Sequence, residues 1–324
     1  MRACVLGSGS WGTALAALLV HAGVPTWLWA RDPETARELA RARCNARYLP
    51  ELAFPDDLWP TTDLSVAMEA DLVVVAVPSQ AMRGVARQLR VRRGTPVVSA
   101  TKGFELGSTR RMTEVLAEEL PEAVPLALSG PNLAGEIALG RPASTVIGGE
   151  LAASRLVQQA FNSERFRVYT NEDLVGVELG GALKNITALA AGILDGLGLG
   201  DNAKAALMTR GLAENARLGV AMGAEAATFS GLAGMGDLVA TCASPLSRNH
   251  RVGVELSRGF SLQDLQDRLH LTAEGVHTTV SALELARRHH VELPIASQIY
   301  AVLYEGLAAD QAVSALMGRP PRSE

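Results

Sequence analysis

"VLGSGSWGTALAALL", residues 5–19, is the stretch on which the fold turns. It sets Gly7, Gly9 and Gly12 in a G-x-G-x-x-G spacing, between the apolar run "ACVLG" (3–7) and an apolar helical pattern. A strand before and a helix after is the context that turns this common spacing into a dinucleotide-binding signal. Gly7 permits the tight turn, Gly9 lets the backbone approach a pyrophosphate, and Gly12 permits close packing of helix on strand. The diphosphate then meets the free N–H groups at the helix start.

The pattern continues outward from that turn. Short apolar runs recur at "PTWLWA" (25–30), "LVVVAV" (72–77), "PVVSA" (96–100), "PLALSG" (125–130), "STVIGG" (144–149) and "FRVYT" (166–170). Helical patterns separate several of them, which predicts an α/β, Rossmann-type domain with a mostly parallel sheet. The unbroken apolar character of 72–77 fits a strand buried on both faces. Beyond residue 171 the texture changes to helical spacing throughout, with Asn171 read as an N-cap and Glu172 and Asp173 in the first turn. Stretches 204–222, 279–290 and 294–307 also read as helices. The expected organisation is a dinucleotide-binding domain at 1–171 and an all-helical domain at 172–324, joined through the long helix itself. The tail "GRPPRSE" (318–324) reads as disordered.

Bulk properties narrow the function. A net charge of −4, without long runs of one sign, gives no footprint for nucleic acid or a membrane surface. The uncharged stretch Thr13–Ala30 contains Gly23 and Pro25, so it reads as helix, turn and buried strand rather than a membrane span. Three scattered cysteines fit a reducing cytoplasm, and neither they nor the six histidines show metal-ligand spacing. The glycine turn follows the first residues directly, leaving no room there for a signal peptide.

Lysine usage points to candidate chemistry. Of 30 basic residues only Lys102, Lys184 and Lys204 are lysine. Lys184 is the single charge between Glu178 and Asp195, inside "GGALKNITALAAG" (180–192). Lysine can release its proton in a protein and arginine cannot, so Lys184 reads either as a snorkelling side chain at a helix surface or as a proton donor. In open α/β sheets ligands bind beyond the carboxyl ends of the strands. That rule brings forward Lys102 in "SATKGFE" (99–105), and Ser129, Gly130 and Asn132 in "LSGPNLAGE" (128–136). At the end of the second strand Arg31 and Asp32 offer a base for a ribose 2′-phosphate and an acid for a 2′-hydroxyl, so both NAD and NADP are expected to bind. "GLAGMGDLVATCASPLSRNHRVG" (231–253) adds Asp237, Thr241 and the Ser247–Arg248–Asn249 cluster, in which arginine among small polar donors suits a phosphate.

Together "GSGSWGTALA", "NARYLPE", "SATKGFE", "LSGPNLAGEIA", "GGALKNITALAAG", "DNAKAALMTRGLAE", "GLAGMGDLVATC" and "SRNHRVG" resemble the NAD(P)-dependent glycerol-3-phosphate dehydrogenases of bacterial type, in order, over residues 3 to 305. The resemblance implies that Lys184 is the proton donor and acceptor, with Asn185 beside it and Lys102 as the second substrate lysine. Asp237 and Thr241 fall at active-site positions, and Ser247, Arg248 and Asn249 at the substrate phosphate. Gly130 and Asn132 match substrate-side positions, with Asn132 standing where many relatives have Ser or Thr. Gly7, Gly9, Ser10, Trp11, Gly12, Arg31, Ala134 and Glu274 match cofactor-side positions, as do Lys102 and Arg248. The family further implies NAD or NADP as cofactor and a small-molecule substrate, dihydroxyacetone phosphate or glycerol 3-phosphate. It implies no metal, nucleic acid or membrane, a homodimer, a cytoplasmic setting and a supply of sn-glycerol 3-phosphate for phospholipid synthesis.

The implied chemistry is reversible hydride transfer. As the carbonyl oxygen of dihydroxyacetone phosphate gains negative charge, a protonated Lys184 stabilises it and supplies the proton. Burial disfavours a charged lysine and a nearby carboxylate favours it, and Asp237 is the candidate carboxylate. Lys204 is open between a phosphate-side and a helix-surface role. Two other readings stand beside this one. The first is a hydroxyacid dehydrogenase of the 6-phosphogluconate type, whose asparagine lies a helical turn after the lysine, where this chain has Ala188. The second is a non-enzymatic NAD(P) sensor on the same fold.

Overall fold

Strand β1 (Ala3–Leu6) is an interior strand of an eight-stranded sheet because its side chains are apolar on both faces and all four residues are buried. The computed structural model of the chain describes residues 1–267 and 273–320, which divide into two units. Of the 318–324 tail, residues 321–324 lie outside the described residues.

The first unit comprises Met1–Glu105 and Arg110–Glu178. Its strands are β1, β2 (Thr26–Trp29), β3 (Cys44–Asn45), β4 (Leu49–Ala53), β5 (Leu58–Thr61), β6 (Leu72–Val75), β7 (Pro96–Ser99), β8 (Val124–Ser129), β9 (Ala143–Gly148) and β10 (Phe166–Asn171). The main sheet runs β10-β9-β8-β7-β6-β1-β2-β5, and β3 and β4 form a separate antiparallel pair. Every neighbouring pair in the main sheet is parallel except β8 and β9. All seven strands expected from the sequence are present within a residue or two. Sequence reasoning misses β5, which carries Pro60 and forms the sheet edge, where proline costs no ladder bond on its open side.

The helices of this unit are α1 (Ser10–His21), α2 (Pro33–Ala42), α3 (Met82–Ala86), α4 (Met112–Glu119), α5 (Ala134–Ala138) and α6 (Leu151–Phe161). The alternation of strand side chains sorts them into two layers. Val5, Val74 and Val98 share a core with Leu15 and Leu19 of α1, Ile137 of α5 and Phe161 of α6. Cys4, Leu6, Val73, Val75 and Val97 share the other with Met82 of α3 and Met112 and Leu116 of α4.

Helix α7 (Leu174–Gly196) begins at the end of the first unit, and the division between units falls within it, after Glu178. The expected cap at Asn171 is corrected by the structure. Asn171 still pairs with Gly148 as the last residue of β10, so its backbone is extended. Asp173 caps instead, its Oδ1 accepting from Gly176 N at 2.8 Å, while Asn171 Oδ1 accepts from Asp173 N at 2.9 Å. Glu178 is buried beside α4, accepting from Thr113 N (2.8 Å), Thr113 Oγ1 (2.6 Å) and Arg111 Nη1 (2.7 Å). Burial pushes its carboxyl above the usual range, against the opposing pull of Arg111 and Thr113.

The second unit comprises Leu106–Thr109 and Leu179–Glu324. Its further helices are α8 (Gly200–Ala221), α9 (Asp237–Ala243), α10 (Arg248–Ser257), α11 (Leu262–Asp267), α12 (Glu274–Arg288), α13 (Pro294–Tyr304) and α14 (Ala309–Met317), with no strand among the described residues. Helix α7 is long and apolar enough to span a membrane, but its most apolar 18-residue window is wholly buried within the protein. Its neighbours approach through small residues. A Cβ on Gly192 would lie 2.0 Å from His250 O, one on Gly253 would lie 2.0 Å from Leu189 O, and one on Gly196 would lie 1.9 Å from Ser257 Oγ. Gly192 and Gly196 of α7 thus face Gly253 and Ser257 of α10 with backbones in contact. On α8, Gly211 makes room for the side chain of Thr187, whose Oγ1 would lie 2.5 Å from a Cβ there.

Candidate active site

In the first unit the turn between β1 and α1 has the shape its glycines predict. Gly7 has φ +115°, and a Cβ there would lie 2.5 Å from Ala76 O. A Cβ on Gly12 would lie 1.9 Å from Gly7 O, so helix and turn meet without side chains between them. A Cβ on Gly9 would meet no protein atom within 4 Å. Gly9 is the N-cap of α1 and provides no capping side chain, and the first turn carries no acid. Free N–H groups, open space above Gly9 and no repelling charge are the conditions a diphosphate needs. The residues present therefore fit a dinucleotide.

The surroundings of that turn are fixed by side chains that sequence reasoning overlooks. Buried Asn45 donates to Ser8 O (2.9 Å) and Thr13 Oγ1 (2.8 Å), tying the β3–β4 hairpin to the glycine loop. At the end of β2, Asp32 is used as the cap of α2, accepting from Thr35 N (2.9 Å) and Thr35 Oγ1 (2.8 Å). Those two bonds hold its carboxyl below the usual carboxylate range. Arg31 is exposed and has no hydrogen bond or ion pair among the described residues.

Beyond β7 and β8, Lys102 Nζ donates to Gly130 O at 3.1 Å. Gly130 has φ +141°, and a Cβ there would press on the β9 backbone, 3.1 Å from Thr145 Cα. Asn132 Nδ2 donates to Thr145 Oγ1 (2.9 Å), which donates to Ser129 O (2.8 Å). Asn132 Oδ1 and Ser129 Oγ are buried without a hydrogen-bond partner. Buried polar atoms are nearly always satisfied, so two orphans at a strand end mark a place that takes a ligand or water.

In the second unit Lys184 is 6% exposed and Asp237 2%. Lys184 Nζ lies 2.5 Å from Thr241 Oγ1 and 3.0 Å from Asp237 Oδ1, and Thr241 Oγ1 lies 3.2 Å from the same carboxylate oxygen. Asp237 and Thr241 stand four residues apart on one face of α9. The chain enters α9 through a π-helical turn, Leu232–Gly236, whose Ala233 O would lie 2.7 Å from a Cβ on Gly180. Gly180 thus admits that turn against α7, and one helical turn later Lys184 meets Asp237 and Thr241. The neighbouring Cys242 is pushed up to about 12 by burial, so its thiol stays neutral and inert.

The next α7 residue is tied to α10. Asn249 Nδ2 donates to Asn185 Oδ1 at 2.9 Å, and Asn249 Oδ1 accepts from Gly275 N at 2.9 Å. Ser247 is the N-cap of α10, accepting from His250 N at 3.2 Å. Arg248, at the first helical position, is exposed and has no hydrogen bond or ion pair among the described residues. A buried ammonium clasped by a carboxylate and a hydroxyl can hold and move a proton. An unoccupied guanidinium at a helix N-terminus can bind an anion.

Comparison with known proteins places these features in a family. Residues 2–154 match the N-terminal, and residues 173–314 the C-terminal, half of the NAD-dependent glycerol-3-phosphate dehydrogenases. The chain belongs to that family. It is 50% identical to the glycerol-3-phosphate dehydrogenase [NAD(P)+] of Moorella thermoacetica, over 99% of this chain and 96% of that protein. It is 48% identical to the enzyme of that name from Streptomyces griseus, over 100% and 98%. The crystal structure of glycerol-3-phosphate dehydrogenase from Coxiella burnetii superposes with a TM-score of 0.92 at 38% identity, covering 98% of this chain and 99% of that one.

Within this glycerol-3-phosphate dehydrogenase family member the sequence-derived residues fall into two sets. The first unit holds Gly7, Gly9, Ser10, Trp11, Gly12, Arg31, Lys102, Gly130, Asn132 and Ala134. Of these, Ser10 opens α1, and Trp11 and Ala134 are half-buried against the core. The second unit holds Lys184, Asn185, Asp237, Thr241, Ser247, Arg248, Asn249 and Glu274. Glu274 opens α12, directly before the glycine that Asn249 grips. Lys204, ambiguous in the sequence, pairs with Asp195 at 2.7 Å. Asn45, Thr145, Gly275, Asp195 and His250 escape sequence reasoning because each acts through a partner on another element of the fold.

Proposed function

We propose that the chain interconverts dihydroxyacetone phosphate and sn-glycerol 3-phosphate with NAD(H) or NADP(H), an oxidoreductase reaction on a CH–OH group. Family membership supports the reaction. The observation that carries the mechanism is the buried Lys184 ammonium, clasped by Thr241 and Asp237.

The cofactor, when bound, supplies the hydride for the carbonyl carbon. The chain supplies everything else. Gly7, Gly9, Ser10, Trp11 and Gly12 hold the dinucleotide, together with Ala134 and Glu274, and Arg31 accommodates a 2′-phosphate. Lys184 stabilises the negative charge on the substrate oxygen and gives it a proton, leaving a neutral amine that accepts the proton in the reverse direction. Asp237 keeps the ammonium charged and oriented, and Thr241 fixes its direction. Asn185, Lys102, Gly130 and Asn132 orient the substrate. Ser247, Arg248 and Asn249 take the phosphate, which anchors the substrate away from the reacting carbon. Lys102 and Arg248 also serve the cofactor side.

Residues 1–171 form the cofactor domain and 172–324 the substrate domain in this reading. The family resemblance supports a homodimer and a part in phospholipid synthesis. The three free cysteines support a cytoplasmic setting. Oxidation of NADH and NADPH is measured with dihydroxyacetone phosphate and with unphosphorylated dihydroxyacetone. Rapid turnover confined to the phosphorylated compound is expected. Folded protein that binds NADH but turns over neither compound overturns the assignment.

A further inference from the structure

A second polar cluster lies three turns along α7 from Lys184. His250 Nε2 is 2.7 Å from Asp195 Oδ2, and Lys204 Nζ is 2.7 Å from Asp195 Oδ1. His250 is buried, and its Nδ1 has no hydrogen-bond partner. Its Nε2 can donate to the Asp195 carboxylate. Lys204 from α8 and His250 from α10 thus converge on one carboxylate of α7.

This cluster bears on Arg248. The guanidinium is exposed and has no hydrogen bond or ion pair among the described residues, so nothing on its own side chain sets its place. Its position is set by the backbone of the first turn of α10, which is held on two sides. Asn249 ties the turn to Asn185 and Gly275 N, and His250 ties it to Asp195. His250 O also lies against Gly192, where a Cβ would stand 2.0 Å away, so the turn cannot close further on α7. Without the His250 bond the turn keeps that stop and the Asn249 bonds but loses its second tether to α7.

We propose that His250, tethered through Asp195 and Lys204, is a positioning residue that holds the first turn of α10 so that Arg248 meets the substrate phosphate. The proposal rests on the reading of Arg248 as the phosphate-binding arginine. It predicts a defect that follows that of Arg248→Ala and falls chiefly on recognition of the phosphorylated substrate.

The test compares His250→Ala, His250→Gln and Arg248→Ala in steady-state kinetics with dihydroxyacetone phosphate and NADH. Hydrogen bonds to charged groups are strong enough that losing one here should raise KM for dihydroxyacetone phosphate about tenfold in His250→Ala. The value of kcat and the KM for NADH should stay within about twofold. Glutamine can still donate to Asp195, so His250→Gln should restore most of the KM. An unchanged KM for dihydroxyacetone phosphate in His250→Ala overturns the proposal, as does a KM for NADH that rises more than about twofold in His250→Ala beyond its rise in Arg248→Ala. If Arg248→Ala leaves the KM for dihydroxyacetone phosphate unchanged, the phosphate assignment itself fails, and the proposal with it. Should His250→Ala not fold, His250→Asn, too short to reach Asp195, replaces it under the same criteria. Loss of the fold in both assigns His250 to the framework and overturns the proposal.

Discussion

Asp237→Asn keeps the shape of its side chain and removes the carboxylate charge that faces a buried ammonium. At the observed 3.0 Å and an effective dielectric of about 20, the direct attraction is about 5–6 kcal/mol. Desolvation of both groups offsets part of it, and breaking one side of a buried pair costs about 3–5 kcal/mol because the other charge is left uncompensated. Lys184→Met leaves the carboxylate facing a thioether and should cost a similar amount. The double variant buries no charge at this place, so it should cost less than the sum of the singles by at least about 2 kcal/mol. All four tryptophans, Trp11, Trp27, Trp29 and Trp59, lie in the first unit, whereas this pair lies in the second. Far-UV circular dichroism in urea sums both units whereas tryptophan fluorescence reports the first alone, so a transition lowered in the dichroism and unchanged in the fluorescence is expected. Turnover should fall by about 10²–10⁴ in Lys184→Met, the range for a positioned acid–base group. Strict additivity of the two losses, or single variants within about 0.5 kcal/mol of wild type, would refute the reasoning, since ion pairs of negligible worth belong on exposed surfaces.

Gly9→Ala should fold normally, because its Cβ meets no protein atom within 4 Å, yet weaken NADH binding at least about tenfold by filling the place of the diphosphate. Gly12→Ala should also lose stability, by about 1–3 kcal/mol, since its Cβ would stand 1.9 Å from Gly7 O; NADH fluorescence titration and urea unfolding separate the two. Arg31→Ala should raise the KM for NADPH about tenfold and leave that for NADH within about twofold, while Asp32→Ala, which removes a helix cap, should weaken α2 and spare both values. Buried Glu214 accepts from Ile295 N at 2.9 and 3.1 Å, and burial raises its carboxyl from 4.5 to about 7. Its contribution to stability is fully present below pH 4.5 and is lost as pH rises through about 7, amounting to about 3 kcal/mol. Glu214→Gln should therefore flatten the stability profile between pH 5 and 8 in chemical unfolding, and an unchanged slope would refute it.

The alternating architecture was legible because its causes are local. Buried parallel strands announce themselves as unbroken β-branched runs, and a strand–glycine–helix sequence is specific in context. β5 was hidden because an edge strand tolerates Pro60 and needs no apolar run. The cap of α7 moved from Asn171 to Asp173 because pairing with Gly148, a long-range bond, keeps Asn171 in the sheet. Residue type pointed to Lys184, Asp237 and Arg248, since a lone lysine in an apolar helix and an arginine among small donors are chemical statements in themselves. Asn45 and His250 gave no such signal, since neither stands out until Ser8 and Asp195 are brought beside it.

Glycine spacing supplies the link between those two kinds of information. In sequence, Gly180, Gly192 and Gly196 look like weaknesses in α7, each less favourable than alanine in a helix interior by about 1 kcal/mol. In the structure each is a point where a neighbouring segment presses against α7, and each contact precedes or flanks a functional pair. Gly180 admits the π-turn that delivers Asp237 and Thr241 to Lys184. Gly192 and Gly196, facing Gly253 and Ser257, bring α10 close enough for Asn249 to reach Asn185. Asparagine and aspartate are short side chains, so they meet partners on a neighbouring helix only where the backbones nearly touch. The helix that most resembles a membrane span is thus apolar for the opposite reason: it is surrounded by protein at backbone distance. The one ammonium it carries is held away from water, where a carboxylate offsets its charge and a hydroxyl accepts its hydrogen bond.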